Sequence, residues 1–195
     1  MSAGGRDIVH VKEKGFSLLE VLIALGISSV LLTGAARLLP ALQLSILRQA
    51  QQTLLQEELW QLAFTVGKQI QRAGYCNGNC QGKALQLNSD GSCLLVQWDA
   101  NSNGRYEGAP SAEAEQTGYR LRDGSLETQR GATSCEGKGW EKMTNPVMVR
   151  IDQFLVQEKR RPGFPPLVFV KLRATVLRYH GEPVTVQHNV SGFNL

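Results

Sequence analysis

The chain has 195 residues, 42% of them hydrophobic and 19% charged, with a formal net charge of +4 at pH 7. That length suits one long helix and one globular domain. So slight a positive excess makes no case for a nucleic-acid partner.

In chain order, a short polar leader comes first, Met1 to Gly15, carrying Arg6, Lys12 and Lys14. Phe16 to Ala36 is then an apolar run in which Glu20 is the single ionisable residue. As a helix rising about 1.5 Å per residue it measures roughly 31 Å, enough to cross a bilayer core. The basic flank predicts that the N-terminus stays in the cytoplasm and that everything after Ala36 lies across the membrane. A cleaved secretory signal differs, having a shorter apolar region with its small-residue cleavage site after it. A buried acid costs most near the middle of a membrane span and less near its end. Glu20 is near the end, and two readings of it stand: a carboxylate that snorkels to the interface, and one that waits for a partner charge.

The helical pattern continues through Pro40, where a kink or break is expected. Leu55, Leu59, Leu62, Val66 and Ile70 recur at intervals of three and four, a stripe expected to pack on the protein's own sheet. Gly74 supplies the stop signal. After residue 80 the period changes to two. Hairpins are predicted about Asp90-Gly91 and Asp123-Gly124, with three further strands in VMVRIDQFLVQ, PLVFVKLRATVLRY and PVTVQHNVSGF. Loops fall near 101–116, 131–145 and 160–165. The reading is an α+β fold with a mainly antiparallel sheet, divided as leader 1–15, membrane helix 16–36, amphipathic helix 37–74 and globular domain 75–195.

Cys76, Cys80, Cys93 and Cys135 all follow the span. An even count in an oxidising compartment suggests two disulfides. Three pairings are possible and the sequence does not choose among them; the one favoured here joins Cys76 with Cys80 and Cys93 with Cys135. Zinc is disfavoured, because the spacing is not C-x-x-C and no histidine lies near.

The stretch KGFSLLEVLIAL resembles the class III prepilin signal of type IV pilins and type II secretion pseudopilins. Carried over by position, the resemblance implies cleavage by a prepilin peptidase between Gly15 and Phe16, and N-methylation of Phe16. It also implies pairing of the Glu20 carboxylate with the N-terminal amine of a neighbouring subunit. Opposite charges attract strongly away from water, and either left alone is costly, so such a pair would fix axial register. QRAGYC, VQWDANSNG, GATSCEGKGW, TNP and the terminal VSGFNL resemble the minor pilins that depend on this peptidase, and more distantly the J-type pseudopilin and W-type pilin subunits. That implies a pilin-like fold and a bacterial inner-membrane anchor with a periplasmic domain. The implied partners are other minor pilins or pseudopilins, the major pilin and the inner-membrane assembly platform. The implied role is priming a filament from its tip; a chain that keeps Glu20 is expected beneath the capping subunit.

Two motifs need separate weighing. Asp99, Asn101, Asn103 and Gly104 match the first half of an EF-hand calcium loop, and Ca2+ is found in some pseudopilins. Pro110 stands where the bidentate glutamate belongs, and Glu107, Glu113 or Glu115 could substitute only by a different path. The same residues also simply favour turns. GATSCEGKG fails as a phosphate-binding loop in its glycine spacing and in having Gly139 where Ser or Thr is required. His10, His180 and His188 have no nucleophile placed beside them by any motif, so no enzyme is read here. The alternative to a priming pilin is a filament-borne binding module for DNA or a secreted substrate. Its one sequence support is the basic run Lys159-Arg160-Arg161, more often a solvated loop.

Overall fold

The computed structural model describes residues 15–177 and 182–195. The leader up to Lys14, with His10, and residues 178–181, with His180, lie outside the described residues. One helix, α1, runs from Leu18 to Arg72, and the chain divides into two compact units, one through Ile46 and one from Leu47 to Leu195. In the first unit every described residue is exposed. Pro40 does not break the helix as expected. Its missing N–H forfeits one bond to the carbonyl of Ala36, while the unbroken turns on either side keep theirs.

In the second unit the last turns of α1 bury Leu55, Leu59, Leu62, Val66 and Ile70, the residues of the stripe. Each such side chain contributes about 1.5–3 kcal/mol on leaving water. They pack with Leu94, Val96, Leu126, Phe154, Val156, Val168, Val170 and Leu172 in one core. Gly74 ends the helix with φ +83°, and a Cβ there would collide with the Asn194 carbonyl. The left-handed turn and the close approach of the C-terminal segment both require glycine.

The strands form two antiparallel sheets. The first has five strands in sequence order: β1 (Leu85–Leu87), β2 (Cys93–Gln97), β3 (Gln116–Arg122), β4 (Ser125–Arg130) and β5 (Glu141–Lys142). The second has three: β6 (Val149–Arg161), β7 (Phe164–Val176) and β8 (Val184–Ser191). The sheets meet where Ile151 and Val156 of β6 donate their N–H groups to the carbonyls of Gly124 and Gly91, both at 2.8 Å. Those glycines belong to the two predicted hairpin turns, so the turns also serve as the seam. The β6–β7 hairpin extends to Arg161 and Phe164, which turns most of the loop expected near 160–165 into strand. The fold is α+β and pilin-like, one long helix with antiparallel sheets.

Candidate functional site

The helix start carries the chemistry of the first unit. Gly15 and Phe16 precede α1 and are exposed, Phe16 at 88%. Ser17 is the residue before the helix, and its N–H donates to Glu20 Oε2 at 3.1 Å. The N–H groups of Glu20 and Val21 in turn donate to the Ser17 carbonyl at 3.0 and 3.2 Å. This is one half of a capping box, the S-x-x-E pattern in which the acid reaches back to an otherwise orphaned N–H. Sequence reading passed over Ser17, although SLLE is the signature that finds it. Of the two Glu20 oxygens only Oε2 accepts a hydrogen bond among the described residues, and a carboxylate has lone pairs enough to cap its own helix and still accept from an amine. Beyond it, the helix contains an eighteen-residue window of mean hydropathy 2.1, none of it buried. Leu18, Leu22, Leu25, Val30 and Leu32 all face outward.

In the second unit the structure joins Cys76 to Cys80 and Cys93 to Cys135. Asp99 lies near the first bridge, but its sulfurs are bonded to each other and offer no thiolate to a metal. Asp99 is 1% exposed and accepts N–H groups from Asn77 (3.0 Å), Asn103 (3.0 Å) and Gly104 (2.9 Å). Burial alone would raise its carboxyl, but these donors, with Ser102, together hold it below the usual carboxylate range. Asn101 and Asn103 accept through their side-chain oxygens from the N–H groups of Asn103 and Arg105. The Asn103 amide bonds Glu107 and is the main reason that acid too is held low. Glu115, one of the three acids that the sequence offered by a different path, closes the loop from a distance by accepting from Ala100, Asn101 and Glu107. Hydrogen bonding thus accounts for each residue of the motif as a closed turn.

A second buried cluster secures the loop after β4. Arg120 and Glu127 pair at 2.9 Å with both side chains below one-tenth exposed. The guanidinium also donates to the Cys135 carbonyl at 2.8 Å and lies 4.3 Å from the Trp140 ring centroid. Trp140 and Ala132 crowd Gly118, where a Cβ would sit 2.6 Å from the indole. In the basic run, Arg160 pairs with Glu158 at 2.6 Å and Lys159 lies over Phe169, so two of its three cations are already engaged.

Residues 48–192 match the family model described as prepilin peptidase-dependent protein B, and residues 11–36 match the prokaryotic N-terminal methylation motif. The chain is 52% identical over 185 residues to prepilin peptidase-dependent protein B of Escherichia coli (strain K12), covering 95% of this chain and 99% of that relative. The chain belongs to the prepilin peptidase-dependent protein B family. No solved structure matches it. The two matches divide the molecule in a meaningful way. The methylation motif takes the exposed apolar helix with its Ser17–Glu20 cap, and the family model takes the cystine-bearing second unit. A single apolar N-terminal helix joined to this motif fits a membrane-anchored pilin-type protein.

Proposed function

We propose that this chain is a minor pilin that primes a filament of the type IV pilus or type II secretion class. A prepilin peptidase cuts between Gly15 and Phe16, Phe16 is N-methylated, and the domain from residue 75 onward stands in the periplasm, where its cystines form. Glu20 then pairs with the amine of an adjacent subunit, so that the helix enters the filament core in one register. The chain works with other minor pilins, the major pilin and the inner-membrane platform, beneath the subunit that caps the tip. Its role is structural rather than catalytic.

The observation that carries this reading is the helix start. A carboxylate that caps the first turn through one oxygen sits at the start of a helix whose apolar stretch is exposed throughout, inside a methylation motif. A bare hydrophobic helix end with an acid this close to the cut has chemical sense when a neighbour brings the countercharge. The test is mass spectrometry of the N-terminus of the membrane-extracted protein, with and without the peptidase. A chain that begins at methylated Phe16 only when the peptidase is present is the expected result. A retained leader, or a cut beyond Ala36, removes the basis of the reading.

A further inference from the structure

The three-stranded sheet has two edges, β6 and β8, and the chain treats them differently. β6 is covered by the seam bonds to Gly91 and Gly124, bears Arg150, Asp152, Glu158 and Lys159, and has two register irregularities. β8 has no charged residue, no proline and no bulge from Val184 to Ser191. Among the described residues its outer side meets no strand. Charge, proline and bulges are among the means by which exposed edges avoid pairing, and β8 has none of them from Val184 to Ser191.

The ladder fixes which groups face outward. Gly192 donates to the Pro166 carbonyl at 2.9 Å. By alternation, Val190, His188 and Val186 direct their main-chain groups to β7, and Ser191, Asn189, Gln187 and Thr185 direct theirs to the open edge. β8 runs beside α1 in the same direction: Gln52 shares a groove with Val184, Gly67 abuts His188 and Val190, and Gly74 abuts Asn194. Beside this edge Phe64 remains 48% exposed, its ring 4.4 Å from that of His188.

We propose that the β8 edge is a strand-addition site, filled by an extended, uncharged segment of a neighbouring filament subunit. Its apolar side chains, at alternate positions, cover Phe64, while its main chain bonds Thr185, Gln187, Asn189 and Ser191. This rests on the filament reading above. A second copy pairing β8 with β8 antiparallel is a poorer occupant: the two-fold would reverse its α1, although both chains are anchored through the same end of that helix. A charged strand is poorer still, since β8 offers no countercharge.

The test places a benzophenone photo-cross-linker in turn at Thr185, Gln187 and Asn189 of the full-length chain, in cells that assemble the filament. Cross-links that step by two residues along one strand of a neighbouring subunit are expected. Gln187→Pro removes one outward N–H while leaving the bonds to β7, and is expected to reduce incorporation roughly tenfold. Thr185→Lys combined with Asn189→Lys keeps every main-chain group and should cause the same loss at unchanged Tm. If chains beginning at Phe16 reach the filament but cross-link to helices, or both variants incorporate as wild type, strand addition is overturned and the filament reading stands. A chain absent from filaments overturns both.

Discussion

His188 shows how one residue ties packing to pH. Its ring is wedged between Phe64 and the open face of Gly67, and burial lowers its pKa from the usual 6.5. The native state therefore binds fewer protons than the unfolded chain just below that value, and stability falls as pH drops through 6.5 towards the lower folded value. The shifted acids do not confuse this window, since Asp90, Asp99 and Asp152 are lowered from 3.8 and Glu107 from 4.5. Thermal melts should show a sloping Tm in the wild type and a flatter one in His188→Gln; equal slopes would clear His188 of the effect. Asp99 acts at lower pH and in the same sense. Its depressed carboxyl gives stability that is present above pH 4 or so and is lost as pH falls through the folded value. Asp99→Ala strands the Asn77, Asn103 and Gly104 donors and should lower Tm by roughly 4 °C or more. A calcium titration of the same pair separates the two readings of the loop. A turn alone gives no rise in Tm, whereas a rise that Asp99→Ala abolishes assigns a cation.

Among elements, the loop between β4 and β5 depends most on covalent help. The Cys93–Cys135 bridge closes 42 residues, and Cys76–Cys80 closes only 4. By chain entropy the first is worth about 4 kcal/mol and the second about 2 kcal/mol. Denaturant melts of Cys93→Ala/Cys135→Ala and Cys76→Ala/Cys80→Ala should preserve that order. The reverse order would mean that the Arg120–Trp140 contacts hold the loop without the bridge. These elements also mark what the sequence made legible. The stripe from Leu55 to Ile70 and the strands around Asp90-Gly91 and Asp123-Gly124 announce themselves by period and turn chemistry. β5 has two residues and is defined by its neighbours, with the Thr144 hydroxyl bonded by the Leu126 N–H. No local pattern could reveal it. The Arg120–Glu127 pair is a cross-strand contact visible only once β3 and β4 are in register. Glu115 is one acid among three near the motif, and only the folded loop shows that it reaches Ala100 and Asn101. The helix start was legible throughout, in SLLE, but its cap was overshadowed by the more specific signal around it.

Taken whole, the molecule separates folding from assembly. Among the described residues burial begins only at Gln51 and Leu55, and all of it belongs to the unit that starts at Leu47. The first unit contributes apolar surface and no core. Stability should therefore reside in the second unit, and the charge that sets the register of assembly in the first. A fragment from Leu47 to Leu195 is expected to be soluble and to melt within a few degrees of the full chain in detergent; an unfolded fragment would show that the stem below Leu47 is needed for the fold. Glu20→Leu makes the complementary change. It removes one capping bond, worth about 1 kcal/mol at an exposed helix end, and leaves Gly15-Phe16 and the domain untouched. Cleavage and the domain's Tm should be as in wild type while incorporation into filaments falls by roughly tenfold or more, the loss expected when a desolvated charge partner is deleted. Replacing Gly15 by a bulky residue should stop at the earlier step, with an uncut leader. If Glu20→Leu assembles as wild type, the Ser17 cap is the whole reason for the acid, and the register of subunits must come from elsewhere in the helix.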